Sequence, residues 1–308
     1  TFAPTSTEQS AEAIRAWSAD SPPRSVRVKG SGTKSGLLGP ADIELSTRAL
    51  RGIQALKVND LYVTAGAGTP LAELQQELAR QRVWVPLASP WPESTLGGIA
   101  ATNFNAPLRM RYGAVRDLIL AMTVVLPDGR IIRAGKPVVK NVAGYDLPKL
   151  FVGSHGTLGL ITDVTWKLLP FPRARTTLFA PVDDLERGLA WGKRLLRVCL
   201  AASSLLLCHG SQVSGAPPSG APPSPAALYP ATSSGAPPSP AAPSPAALYP
   251  ATSSPYVLIH TAEGVPEDVQ TELAQARAVL QAEGAQDLTQ VDAPGSAAVP
   301  GGAEGAPS

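Results

Sequence analysis

A tandem repeat sets the firmest limit on what this chain can fold into: two copies of a 20-residue unit fill residues 214–253. SGAPPSGAPPSPAALYPATS is followed by SGAPPSPAAPSPAALYPATS, and the copies differ only at Gly220/Pro240 and Pro222/Ala242. A solenoid repeat must carry an apolar face to bury against its neighbour. This unit offers only Leu228/Leu248 and Tyr229/Tyr249 between prolines, so residues 214–254 are expected to be a Pro/Ala/Ser-rich linker, extended or disordered. Its near-identity reads either as a recent duplication or as an artefact of the sequence. The tail, 293–308, is Ala, Gly and Pro without a folding signal. Residues 1–172 remain as one long foldable block, and 173–213 with 255–292 as a small second block in two pieces. A chain of 308 residues is long enough to bury both cores.

Charge and cysteine content exclude several classes. Lys and Arg exceed Asp and Glu by 26 − 24 = +2, with no basic run, which gives no electrostatic case for nucleic acid. Cys199 and Cys208 make neither a disulfide framework nor a zinc set, and read as buried core thiols; no metal is expected. Their apolar stretch is too short and serine-rich to span a bilayer. The start, Thr1-Phe2-Ala3-Pro4, does not read as a signal peptide. The expected location is the cytoplasm.

Periodicity supplies the elements. Ala11, Ile14 and Trp17 space a helix over 8–17, and a strand at 26–28 runs into the loop Gly30-Ser31-Gly32-Thr33-Lys34-Ser35-Gly36. Strands follow at 43–45 and 61–65; Thr69 is expected to cap a helix with Pro70 at its first position and Leu71, Leu74 and Leu78 on one face. A strand at 84–87 precedes a small-residue loop, 88–105. Strands at 120–126 and 130–133 flank the turn Pro127-Asp128-Gly129, and an alternating strand covers 162–168. The second block reads as strand 176–179, helix 183–207, strand 256–261 and helix 266–283. The fold class is α+β.

The glycine loops carry the functional signal. Around Lys34 a mononucleotide P-loop fails, because no glycine precedes the lysine. A G-x-G-x-x-G fingerprint fails too, since Gly36 falls one position late. Gly66-Ala67-Gly68 opens a helix but has Leu71 where the third glycine belongs, and no acid follows to hold a ribose; it reads as a tight turn. What remains for residues 30–35 is a nest of backbone N–H groups converging on a pyrophosphate, with the hydroxyls of Ser31, Thr33 and Ser35 beside it. Lys34 either neutralises charge there or points to water. Thr95-Leu96-Gly97-Gly98-Ile99-Ala100-Ala101-Thr102-Asn103 and Gly156-Thr157-Leu158-Gly159-Leu160-Ile161 have the same small-residue character. Each alone is equally a packing loop; three together suggest a long ligand threaded through the fold.

In this order, with Arg111-Tyr112-Gly113-Ala114-Val115-Arg116-Asp117, Lys140-Asn141-Val142-Ala143-Gly144-Tyr145-Asp146-Leu147 and Gly153-Ser154-His155-Gly156-Thr157-Leu158-Gly159, the chain resembles the vanillyl-alcohol-oxidase/p-cresol-methylhydroxylase (PCMH-type) flavoprotein superfamily. Within it the likeness is greatest to an FAD-binding subunit of the bacterial glycolate oxidases. The resemblance implies a two-lobed PCMH-type FAD-binding domain over 1–172, followed by a small, interrupted α+β substrate cap over 173–213 and 255–292. It implies FAD on Gly30, Ser31, Gly32, Thr33, Lys34 and Ser35 at the pyrophosphate. Thr95, Gly97, Gly98, Ala101 and Asn103 would run toward the ring, with Gly113, Gly156, Gly159 and Ile161 completing the set. The first loop lacks His and Cys, which favours dissociable FAD. His155 stands where many relatives have an acid.

Oxidation of a 2-hydroxy acid needs a cation for the carboxylate and a group to take the hydroxyl proton. Arg109 and Arg111 are carboxylate clamps or solvated surface arginines; His155 is a base or a loop residue covering the flavin. His260 shares a strand face with Tyr256 and Leu258 and reads as structural. Two function classes stay open. One is an FAD-dependent dehydrogenase of glycolate or lactate. The other is an accessory or electron-relay subunit beside a second flavoprotein and an iron–sulfur partner, through which the chain could lie at the inner membrane. A third reading is a decayed flavoprotein that no longer holds FAD.

Overall fold

The computed structural model describes residues 1–34, 39–137, 145–209 and 254–292. Ser35, residues 140–144 of the longest motif, the repeat and the tail lie outside the described residues. The chain divides into two compact units, and passes from the first to the second between Phe171 and Pro172.

The first unit opens with α1 (Thr7–Ala19), capped by Ser6, whose hydroxyl accepts the Gln9 N–H at 3.1 Å. Strands β1 (Val26–Lys29) and β2 (Ile43–Ser46) form a parallel pair, and Leu45 with Val28 packs against Ile14 of α1. Then come β3 (Ile53–Lys57), β4 (Tyr62–Gly66), α2 (Leu71–Ala79), β5 (Val83–Trp84) and α3 (Leu96–Thr102). They are followed by α4 (Arg109–Tyr112), α5 (Val115–Leu118), β6 (Ile119–Val125), β7 (Ile131–Gly135), α6 (Pro148–Phe151), β8 (Leu160–Lys167) and β9 (Leu169–Pro170). The order β3-β4-β8-β6-β7 makes a five-stranded antiparallel sheet. Val63, Val164 and Trp166 from this sheet, with Leu74 of α2 and Ile99 of α3, form the main core. Full burial of each such side chain contributes about 1.5–3 kcal/mol. The parallel pair with α1 and the five-stranded sheet with α2 and α3 are the two lobes of an α+β fold.

Three expectations are corrected in this unit. Thr69 does not cap α2: its Oγ1 accepts the Gly52 N–H at 2.9 Å, and Pro70 takes the N-cap position. The strand expected over 84–87 stops at Trp84. Gln75 takes over its pairing from α2, donating to the Val85 and Leu87 carbonyls at 2.5 and 3.4 Å and accepting the Val85 N–H. Inside the expected loop 88–105, α3 forms because Leu96, Ile99 and Ala100 share a buried face and Thr95 caps it. Strand β3 went unread, since most of its side chains are exposed.

The second unit is a split β-α-β arrangement. It comprises β10 (Ala174–Val182), α7 (Leu185–Val198), β11 (Ala202–His209), β12 (Tyr256–Gly264), α8 (Pro266–Ala282) and β13 (Thr289–Asp292), in sheet order β11-β12-β10-β13. All neighbours are antiparallel. Trp191 and Leu195 of α7 and Val269, Leu273 and Ala276 of α8 pack on Leu178 and Leu258. The helix expected over 183–207 ends instead at Val198. Beyond it the Leu200 and Ala201 N–H groups donate to the Glu272 carboxylate at 3.1 and 3.0 Å, and the chain turns into β11. Arg175 and Glu263 form a buried ion pair across β10 and β12. No helix among the described residues is long and apolar enough to cross a membrane.

Candidate functional site

Strand β1 delivers the first glycine loop onto the N-terminus of α3. Gly30 lies so close that a Cβ there would sit 2.2 Å from Thr95 Oγ1, and Gly32 takes φ +85°, open to glycine at little cost. Thr95 Oγ1 in turn accepts the Gly98 N–H at 3.3 Å. At its other end α3 closes with Asn103 in the left-handed region, φ 48°, while the Phe104 N–H returns to the Ile99 carbonyl at 3.1 Å. The third loop docks on this C-terminus: Gly153 N–H donates to Ala100 O at 3.1 Å and His155 N–H to Ala101 O at 2.8 Å. One short helix therefore gathers all three loops.

Together they line one cleft between the lobes, about 670 Å³ including its mouth. Gly30, Ser31, Gly32, Thr33 and Lys34 form one wall. Thr95, Gly97, Gly98 and Ala101 form the floor, and His155, Gly156, Gly159 and Ile161 complete this part of the lining. Val28, Lys29, Thr47 and Thr102 also line it; sequence reasoning missed them because nothing in their type marks a ligand contact.

Lys34 is the chemical feature of the cleft. Its ammonium donates to Thr33 Oγ1 and Ser94 Oγ, both at 3.0 Å. It lies 5.1 Å from the centroid of Trp91 and 5.3 Å from that of Phe104, two rings that meet edge-on. Burial lowers its pKa to about 8, with the Glu93 charge opposing the shift. The Lys34 side chain is half-buried beside these hydroxyls and rings. Its aromatic flank, Trp91 and Phe104, brackets the small-residue stretch in sequence, a signal that sequence reasoning passed over.

Other expected residues lie elsewhere. Asn103 ends α3, and its carbonyl and Oδ1 accept the Asn105 amide at 2.8 and 3.0 Å. Gly113 and Arg109 line a separate pocket of about 180 Å³. Arg111 is exposed, its guanidinium 5.9 Å from the Tyr112 ring. In the same motif Asp117 accepts the Ala114 N–H at 2.9 Å and closes a turn. His155 faces the cleft with an exposed side chain and φ 53°. The turn at Gly66-Ala67-Gly68 packs on backbone, a Cβ on Gly68 falling 2.0 Å from Thr47 O. Ser35 lies outside the described residues.

Residues 1–135 match the family model described as an FAD binding domain. Over this stretch the chain is similar to an FAD binding domain. Among the curated relatives that share sequence with the chain are the following two. D-lactate dehydrogenase of Anaerostipes hadrus is 34% identical over 191 residues, 60% of this chain and 39% of that protein. Glycolate oxidase subunit GlcE of Escherichia coli K12 is 38% identical over 154 residues, 49% of this chain and 44% of that protein. The chain thus spans about two fifths of these relatives' length. Among solved structures, alkyldihydroxyacetonephosphate synthase superposes with a TM-score of 0.70 at 16% identity, covering 95% of this chain and 52% of that one. That likeness bears on the fold alone, and agrees with the two-lobed α+β architecture. The FAD binding domain contains most of the cleft, and α3 with its capping threonine lies wholly inside it.

Proposed function

We propose that the cleft holds FAD non-covalently and that the chain is the FAD-bearing part of an oxidoreductase acting on a small 2-hydroxy acid such as glycolate or lactate. The observation that carries this reading is the convergence of three small-residue loops on α3 within one cleft of the FAD binding domain. A dinucleotide fits what the cleft offers. Gly98 opens onto space on the cleft side. Lys34 has lost hydration and has hydroxyls rather than an anion within hydrogen-bonding reach. An anionic pyrophosphate beside residues 30–34 would restore that ammonium's charge partner. When bound, the flavin ring supplies hydride acceptance. Around it the residues of this chain bind and orient: the nest and Lys34 fix the phosphates, the glycine floor admits the flat ring, and His155 is the candidate to receive a substrate proton. The first loop carries no His or Cys to tether the cofactor.

A second reading is favoured by one observation. Among the described lining residues the ionisable side chains are Lys29, Lys34 and His155, and Lys29 is paired with Glu44 at 3.3 Å. Arg109 and Arg111, the candidate carboxylate clamps, are not among the described lining residues. That deficit supports an accessory or electron-relay subunit working with a second flavoprotein and an iron–sulfur subunit. Anaerobic addition of glycolate or D-lactate separates the two: bleaching of the flavin on the isolated chain supports the catalytic reading. Bleaching that appears only with partner subunits supports the relay. A chain that purifies colourless and ignores added FAD overturns both.

A further inference from the structure

The second unit buries a polar cluster that the cleft does not use. Cys199 closes α7, His260 stands mid-way along β12, and Glu272 lies in the second turn of α8. Leu258 and Ala262 alternate with the neighbouring residues of β12 onto the face covered by the two helices, and His260 falls between them on that face. The three residues are 4%, 1% and 4% exposed. Cys199 Sγ, a ring nitrogen of His260 and a carboxylate oxygen of Glu272 all lie within 4.8 Å of one another. His260 Nε2 and Glu272 Oε1 are 3.5 Å apart. A tetrahedral Zn²⁺ with nitrogen and oxygen ligands at about 2.0–2.1 Å needs an edge of about 3.3 Å.

The hydrogen bonding of the cluster is incomplete in a telling way. Glu272 Oε2 is held by the Leu200 and Ala201 N–H groups, which fix the carboxylate. Its Oε1 lies 3.5 Å from His260 Nε2, and among the described residues neither ring nitrogen of His260 makes a well-formed hydrogen bond. Buried polar groups left in that condition are costly, and a group bound between them would relieve the cost.

We propose that Cys199, His260 and Glu272 hold a divalent cation of the zinc class, with thiolate, imidazole and carboxylate at three corners of a tetrahedron and water at the fourth. Soft sulfur beside nitrogen and oxygen at tetrahedral spacing suits Zn²⁺ better than Mg²⁺ or Ca²⁺. On binding, the metal–sulfur bond forms as the Cys199 thiol proton leaves to solvent, neutral His260 donates its lone pair, and nothing is oxidised or reduced. One thiolate and one carboxylate cancel the 2+ charge, so the filled site is neutral. Its role follows from chain order. Cys199 precedes the tandem repeat, and His260 and Glu272 follow it, 260 − 199 = 61 and 272 − 199 = 73 residues on. A cation there closes that loop and ties α7, β12 and α8 together.

The test uses the full chain, stripped with chelator and titrated with Zn²⁺ or, separately, Co²⁺. The expected result is about one Zn²⁺ retained per chain and a rise of about 5–10 °C in the unfolding midpoint. Co²⁺ should give intense tetrahedral visible bands and a thiolate-to-cobalt charge-transfer band. Cys199→Ser should lose the charge-transfer band and most of the shift in midpoint, whereas Cys208→Ser should keep both. Should Cys199→Ser not fold, X-ray absorption on zinc-loaded wild type decides the point: a sulfur at about 2.3 Å supports the site, and nitrogen and oxygen alone overturn it. No retained metal, no shift, or an unchanged band in Cys199→Ser also overturns it.

Discussion

Gly97 and Gly98 are neighbours under opposite demands. A Cβ on Gly97 would stand 2.7 Å from Ala67 Cβ and 3.1 Å from Ala67 O, inside the protein. One on Gly98 meets only Thr95 Oγ1, at 2.9 Å, and otherwise projects into the cleft. Gly97→Ala should therefore lower stability by about 1–3 kcal/mol through overpacking, read as a shifted denaturation midpoint. Gly98→Val should instead weaken FAD at least about tenfold, or ~1.4 kcal/mol, in a fluorescence titration. Parent-like affinity in Gly98→Val would remove the cofactor from this floor. Lys34 makes a prediction of pH. Its folded pKa of about 8 lies below the 10.5 of the unfolded chain. Between those values the unfolded state binds the extra proton, so apo stability gains from Lys34 as pH rises from about 8 toward 10.5. A phosphate partner favours the charged form, so FAD affinity should fall over the same window. Lys34→Met should flatten both slopes relative to wild type; an unchanged affinity slope in that variant would separate Lys34 from the phosphates.

At the scale of elements, α3 holds the site together, and its cap is the test. Thr95→Ala should cost about 1 kcal/mol of stability and weaken FAD, with Thr95→Ser restoring most of both; equal binding by all three proteins would make the cap irrelevant to the cleft. The same helix marks where legibility ends. Helix α2, the β6–β7 hairpin and α8 were readable because their apolar spacing and turn residues agree with their surroundings. Two glycines in the first turn of α3 look like loop, and it takes the Thr95 hydroxyl, the returning Phe104 N–H and the buried face of Leu96, Ile99 and Ala100 to make it helical. The end of α7 was illegible for a different reason. The apolar run continues past Val198, and what turns the chain is a carboxylate 72 residues downstream, at Glu272. Local pattern cannot register a partner that arrives through tertiary folding. The cleft itself was better exposed: its glycines and hydroxyls cluster in sequence, whereas Val28, Thr47 and Thr102 join it only through the register of β1 and the turn of α3.

For the whole molecule the decisive observation is optical. Purified chain should show flavin absorbance near ~450 nm that moves to the supernatant after acid precipitation. A yellow pellet would mean a covalent tether and would end the non-covalent reading. The arrangement of the second unit has a consequence for the length of this protein. His209 and Tyr256 are directly opposed in the β11–β12 hairpin, with their rings 5.6 Å apart. The described strands part and rejoin at one end of the sheet; if the chain between them is held only by its ends, a change in its length costs loop-closure entropy alone, about 0.6 kcal/mol for each doubling. Deleting one 20-residue copy, residues 214–233, should leave the unfolding midpoint within about 2 °C of wild type. A larger fall would mean that the segment is held by something besides its ends. If the midpoint holds, the hairpin is a natural splice port. Copies of the unit could then be gained or lost there without a trace in stability.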